Sequence, residues 1–548
     1  MTKKIMTYFR TMSVAFLASA TLAACSSSDD SIIDEQPVVT PTAPTTYTMT
    51  VQATKGDETT RGLYFDSDGA LNTKWYEGEE VEVMQDQGDF ISLGTLTAAA
   101  SDNGTTTLTG TLHTAPVSDM NLLFYLHGSV RSYTGQTGVL LEDDNSIEKK
   151  YDYATATADK GEFTVDTETK TVTIQNGLTF LSEQAIVKFI LFNALTNQAL
   201  EAKSLTLNGV RKPGTVEVEN ICLEVKMGES GLKSTCGELT INPETATNEF
   251  YVALKQEYGA CIKFRVSAKD EAGNEYYYDA ENVNFTEGTF YEVNVKMRPV
   301  KIDLSQLTEN FTARNEEILT GTLANNVKVS IADGATVTLR DVTIEGVEGE
   351  YEYTKIYNWA GITCEGDATI VLEGNNTLKG FEEEYPGVYV PEGKTLTIKG
   401  DGNLNASSNG HGAGIGGGNK IACGNILIKG GNIIATGGRA CTGIGGAGFG
   451  DCGNITITGG TIVATGGQSA AGIGAGDDAK CGNITISKDV TKVEAIRNYL
   501  ARSCIGISNT SSCGVITIGD VEYYDGTNYA SEELEKALKA DSFIYPSN

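Results

Sequence analysis

The sequence predicts an all-β chain: two β-sandwiches followed by a right-handed parallel β-helix that ends in a short helix. Three observations carry this reading. Short runs of period-two alternation fill residues 46–299, the signature of half-buried antiparallel strands. The motif Cys-Gly-Asn-Ile recurs at Cys423, Cys452 and Cys481, a period of 29. Finally, 26 of the 62 glycines fall within residues 401–482, a composition that excludes a helical repeat because such a repeat needs long runs of good helix formers. At 548 residues the chain has room for several domains, and its 40% hydrophobic content suffices for packed cores. A formal net charge of −31 argues against nucleic acid as a partner.

Residues 1–24 place Lys3, Lys4 and Arg10 ahead of an apolar stretch that closes on Leu22-Ala23-Ala24-Cys25. This pattern reads as a secretory signal peptide, too short and interrupted for a membrane-spanning helix. Its ending resembles a bacterial lipoprotein box, which implies acylation of Cys25 and a lipid anchor. Asp29 and Asp30 after Ser26 to Ser28 resemble the acidic tag that sends lipoproteins of the Bacteroidetes to the outer face of the outer membrane. Residues 25–45 then read as the lipidated cysteine and a flexible tether.

Residues 46–180 and 181–299 are the two sandwiches. Glu80-Val81-Glu82-Val83 and Ile262-Lys263-Phe264-Arg265-Val266 show the alternation, and Glu271 to Glu275 offers Gly273 and Asn274 for a hairpin turn. Thr59-Thr60-Arg61-Gly62, Trp75-Tyr76-Glu77-Gly78-Glu79 and the closing run Phe285 to Val295 resemble the fimbrillin-like (type V pilin-related) proteins of the Bacteroidetes, though that family usually has Gly-Asp where this chain has Gly78-Glu79. The resemblance implies two transthyretin-like sandwiches, partners among fimbrial subunits by strand addition, and Arg61 as a site of maturation by an arginine-specific protease. An exposed loop arginine is the alternative reading of Arg61. Cys222, Cys236 and Cys261 also lie here; one pair of them could bridge, and spacing does not choose which.

Residues 300–530 carry the repeat. Aligning on the motif gives an apolar column Leu339, Leu372, Ile398, Ile428, Ile457, Ile486, Ile518, which predicts about seven coils of three short strands separated by glycine corners. Stacking at about 4.8 Å per coil makes Cys423, Cys452, Cys481 and Cys513 a buried thiol stack, too far apart along the axis for disulfides or for a shared zinc. No metal or cofactor is expected. Gly-Ile-Gly-Gly-Gly lacks the Lys-Ser/Thr and the strand-to-helix setting of a phosphate loop. In residues 531–548, Ser531 ahead of Glu532 and Glu533 predicts a capped helix over the open end of the solenoid.

Function is read from the outward positions. Arg340, Glu373 and Lys399 alternate in charge as a salt-bridge row, and Asp341, Glu345, Asp367 and Asp401 form no repeated column, so no catalytic residues are assigned. Tyr351, Tyr353, Tyr357 and Trp359, with Tyr385 and Tyr389, concentrate aromatic rings in one insertion and are the candidate glycan-binding patch, unless they simply pack on the flank. The solenoid itself resembles carbohydrate-binding β-helix domains. The expectation is a non-catalytic surface adhesin that binds a glycan or a host or bacterial surface protein, with a pilus structural or anchor subunit and a polysaccharide lyase or hydrolase as alternatives.

Overall fold

The computed structural model describes residues 46–546 apart from 57–63, 66–70, 73, 103, 142–144, 229–230, 258, 347–356, 383 and 409. Cys25, Arg61, Tyr351 and Tyr353 lie outside these residues. Among those described, no helix is long and apolar enough to cross a membrane.

Tyr47–Lys55 alternates buried and open residues and organises the first sandwich. It pairs antiparallel with Thr105–Leu112 and parallel with Leu178–Ser182, so the hydrogen-bonded order of its sheet returns to its starting strand. Met49, Val81, Val83, Leu96, Leu108, Phe124 and Phe180 fill the interior. Trp75 meets Phe180 edge to face at 5.5 Å and donates its indole N–H to the Gly104 carbonyl, which satisfies the one polar atom the ring carries inside.

In the second sandwich Ala185–Asn193 lies between Glu249–Leu254, antiparallel, and Phe290–Pro299, parallel. The hairpin expected around Gly273 joins Lys263–Lys269 to Glu275–Ala280, with Gly273 at φ 81°. One expectation needs correction. Tyr133, Leu140, Ile147 and Tyr151 belong to the second core, although they precede the predicted boundary at residue 180. A segment that leaves one core for another and then returns has the same alternation as its neighbours, so contiguous sequence reading does not detect it.

Between two strands of the first sheet the chain enters a separate three-stranded sheet. Val130–Ser132 pairs with Cys222–Gly228 of a hairpin in the second half, and the buried Arg131 guanidinium lies 2.6 Å from Glu183 and over the Tyr125 ring.

The C-terminal region is a parallel solenoid with three strands per coil, for example Asn425–Ile428, Asn432–Thr436 and Ile444–Gly445. Its third face stacks eight strands from Phe311–Ala313 to Ile505–Gly506, one more than the seven coils aligned from sequence, the additional coil placing Leu319 beside Leu339 at the head of the column. The register also differs from the alignment at one step. Ile370 lies over Ile398, while Leu372 meets Gly400. A two-residue slip leaves the same side chains inward, so the apolar pattern is blind to it. The observed choice brings Gly400 close to the coil below, where a Cβ would sit 2.4 Å from the Leu372 carbonyl oxygen. At the other corner Gly445 has φ 128° and its Cβ would lie 2.1 Å from the Gly474 carbonyl oxygen, so these glycines serve close coil approach.

Polar side chains lock the coils together. The Asn425 Oδ1 accepts the Asn454 N–H, Asn454 accepts from Asn483, and Asn483 from Val515, each at 2.8–2.9 Å. Two antiparallel strands, Val521–Tyr524 and Ser542–Tyr545, close the parallel faces. The Glu532–Leu538 helix, capped by Ser531, inserts Leu538 into the solenoid core, covering edges that would otherwise template association.

Two outcomes test this packing. Ile457 is fully buried between Ile428 and Ile486, so Ile457→Ala should lower stability by about 2–5 kcal/mol in denaturant titration. In the first sandwich, burial drives His127 down to about 4 and Glu79 up to about 7. The depressed histidine contributes stability above its ordinary 6.5 that is lost as pH falls towards 4. The raised carboxyl contributes stability below its ordinary 4.5 that is lost as pH rises through 7. His127→Gln should remove the first trend and leave a denaturation midpoint that rises as pH falls from 7 to 4.5.

Candidate ligand-binding site

Concave ground lies at the seam where the second sandwich runs into the solenoid. Phe290–Pro299 continues into Lys301–Asp303, the first solenoid strand. Across this step the Val300 N–H donates to the Glu275 carbonyl and the Ile318 N–H to the Val300 carbonyl, both at 2.8 Å. The two domains therefore share backbone hydrogen bonds.

Glu317 anchors the seam. It is fully buried and accepts from Arg298 Nε at 2.7 Å and Nη2 at 3.1 Å, from the Tyr277 hydroxyl at 2.8 Å and from the Arg314 backbone N–H at 2.9 Å. Four donors on one carboxylate offset the cost of burying it. Burial, with Glu317 alongside, pushes the Tyr277 hydroxyl up to about 12, so it stays a donor. Nearer the surface Arg265 bridges the domains, binding Asp279 through Nε and Nη2 and Glu316 through Nη1; the Asp279 hydrogen bonds hold its pKa above the usual arginine range.

Three grooves surround this anchor. One of about 410 Å³ is bounded by Tyr277, Tyr278, Lys296, Arg298, Arg314 and Asn315. Neighbours of about 600 and 300 Å³ share Ala194, or Arg265 and Tyr277, with it. These volumes suit small-molecule or oligosaccharide ligands. Strand alternation buries Tyr277 and leaves Tyr278 38% exposed. Lys296 and Arg314 are exposed and, among the described residues, have no ion-pair partner. Sequence reasoning missed this site; the run Tyr276-Tyr277-Tyr278 on an amphipathic strand was the signal for it.

The aromatic insertion behaves differently. Tyr357 and Trp359 meet edge to face at 5.4 Å, and Trp359 lies 5.7 Å from Phe381. All three rings pack on the solenoid core. The Tyr389 hydroxyl donates to the Ala422 carbonyl, and burial raises the pKa of both Tyr385 and Tyr389. The structure thus brings Tyr357 and Trp359 together as a packed cluster, with Tyr385 and Tyr389 half-buried on the same solenoid.

The solenoid surface is a set of columns. Thr336, Thr369, Thr397, Leu427, Thr456, Thr485 and Thr517 lie in one outward row. Arg340 Nε bonds Glu373 at 2.6 Å, but Lys399 lies against Val371, so the alternating salt-bridge row ends after one pair. Asp341 and Asp367 accept backbone N–H groups of Asn375 and Thr395 in the next coil; these acids hold the stack together. Cys423, Cys452, Cys481 and Cys513 are paired in register on successive coils and buried. Hydrogen bonding to Cys452 and burial hold the Cys423 thiol well above its usual range, and burial pushes Cys513 up to about 12. Thiols so protonated are poor nucleophiles. Among the described residues no cluster of three or more His, Cys, Asp or Glu could hold a metal ion.

Residues 396–419 and 455–477 match the family model described as Beta helix repeat. None of the curated proteins compared matches the chain. Among solved structures, the chain is similar to a candidate cell adhesion protein from Bacteroides ovatus ATCC 8483, at 12% identity over 46% of this chain and 94% of that one, with a TM-score of 0.28. It is similar to another from Bacteroides uniformis ATCC 8492 at 13% identity, covering 45% and 93%, with a TM-score of 0.27. A fimbrilin from Porphyromonas gingivalis W83 matches at 11% identity, covering 46% and 97%, with a TM-score of 0.24.

Glu317→Ala leaves the half-buried Arg298 and the buried Tyr277 hydroxyl without their partner, and the variant should lose about 1–3 kcal/mol. Limited proteolysis should then cut first near residue 300, where the seam opens.

Proposed function

We propose that this chain is a surface adhesin that binds a glycan without catalysis, and that the seam groove is where the ligand sits. The observation that carries the reading is the groove's composition: an open tyrosine, Tyr278, beside Lys296 and Arg314, which have no ion-pair partner among the described residues, with the Asp279 carboxylate taken up by Arg265, on walls held by the Glu317 network. A tyrosine face suits the C–H surface of a sugar ring, and two cations suit the carboxylate of an acidic sugar. The chain's overall negative charge opposes such a ligand only weakly, because at physiological salt fields are screened beyond about 8 Å. A lipid anchor at Cys25 fits this role, as do fimbrial subunits docking on the sandwiches by strand addition. The packed insertion rings then serve the solenoid.

A glycan array decides between sites. The full chain should bind acidic oligosaccharides, with affinity falling on the order of tenfold, or 1.4 kcal/mol, in Tyr278→Ala and Arg314→Ala and unchanged in Trp359→Ala. Loss in Trp359→Ala alone would move the site to the insertion. Release of shortened products from a bound polysaccharide would replace the adhesin with an enzyme.

A further inference from the structure

The hairpin of the three-stranded sheet carries two cysteines at its base. Cys222 and Cys236 are direct partners across the antiparallel strands Cys222–Gly228 and Gly231–Cys236, with their sulfurs 3.6 Å apart. The flanking Gly237 N–H donates to the Ile221 carbonyl, and the Cys222 N–H goes to Lys255 on the other side. The cysteine pair therefore occupies a non-hydrogen-bonded position, where opposed side chains lie closest. Its Cβ atoms point to the same side of the ladder at a separation near the disulfide range. A bond requires the sulfurs to close to about 2.05 Å, and the ladder shifts register just beyond Cys222.

The remaining cysteines stand otherwise. Cys423, Cys452, Cys481 and Cys513 repeat in parallel register at about 4.8 Å per coil, Cys364 is buried opposite Ile331, Cys441 and Cys504 donate to the His411 and Ala540 carbonyls, and the Cys261 sulfur accepts the amides of Asn220 and Gln256. Cys236 is partly exposed and donates to Glu257, so an external donor can reach it.

We propose that Cys222 and Cys236 are joined as a disulfide in the mature protein, and that this bond locks the hairpin whose Glu224, Val225 and Lys226 pair with Ser132, Arg131 and Val130 of the third strand of its sheet. The oxidant is a protein or small-molecule disulfide. One thiol of the pair loses its proton, its thiolate attacks one donor sulfur and expels the other as a thiolate. The second thiol, deprotonated in turn, attacks the protein sulfur of the mixed disulfide and releases the second donor thiolate. Two electrons pass to the donor and the two protons to the departing thiolates. The ring so closed constrains the unfolded hairpin, the usual source of disulfide stabilisation.

Full-length protein exported and purified without reductant, alkylated first in the native and then in the denatured state, and digested, should yield one peptide pair linked through Cys222 and Cys236 and lighter by two hydrogens. Cys423, Cys452, Cys481 and Cys513 should react only after denaturation. Full alkylation of Cys222 and Cys236, or linkage of either to Cys261, overturns the proposal. Reduced protein treated with oxidised glutathione should regain the same link, while Cys222→Ser should stop at a glutathione adduct on Cys236. The oxidised chain should melt higher than the reduced chain, on the order of 5 °C, a difference Cys222→Ser abolishes; equal melting would show that the bond staples nothing.

Discussion

In-register stacking of parallel coils is the constraint on which the rest of this molecule depends. Once each coil lies about 4.8 Å above the last, every position is repeated along the axis, and a side chain is judged by what stands above and below it. Apolar columns become a continuous core, as from Val337 through Ile370 and Ile398 to Ile518. Asparagines turn into ladders because their amide oxygens meet the next coil's N–H groups. The same periodicity makes the outer faces regular rows, which gather few unlike groups. Concave ground with mixed chemistry therefore arises where the stack meets something else.

That place is the seam with the second sandwich. Strand continuity through residue 300 and the Glu317 carboxylate, with Arg298 and Tyr277, turn a change of architecture into a fixed joint. A fixed joint matters for a binding surface built from two domains, because Tyr278 and Lys296 come from one side and Arg314 and Asn315 from the other. Relative motion of the domains would move the two halves of such a groove apart.

Strand direction also sorts the cysteines. Parallel stacking leaves like over like at the coil rise, which favours inert, protonated thiols in the core. Antiparallel pairing across the hairpin brings Cys222 and Cys236 face to face in a non-hydrogen-bonded pair, where sulfurs approach. Spacing along the chain carries no information on this difference: 14 residues separate one pair and 29 the other.

The alternation, the 29-residue repeat, the glycine corners and the Ser531 cap were legible in the residues, because each is a local pattern imposed by backbone geometry. They determined the strand content, the coil plan, the inward columns and the burial of the stacked cysteines. Only the tertiary structure decided which of two equivalent registers joins Ile370 to Ile398, since a slip of two residues keeps the same face inward. It also decided that Tyr133, Leu140, Ile147, Tyr151 and Tyr153 join the second core, that Asp341 and Asp367 bind backbone, that Tyr357 and Trp359 pack inward against Phe381, and that Tyr278, Lys296 and Arg314 converge. Those outcomes rest on contacts between segments far apart in the chain, whose energies depend on distance in space and leave no periodic trace in the order of residues.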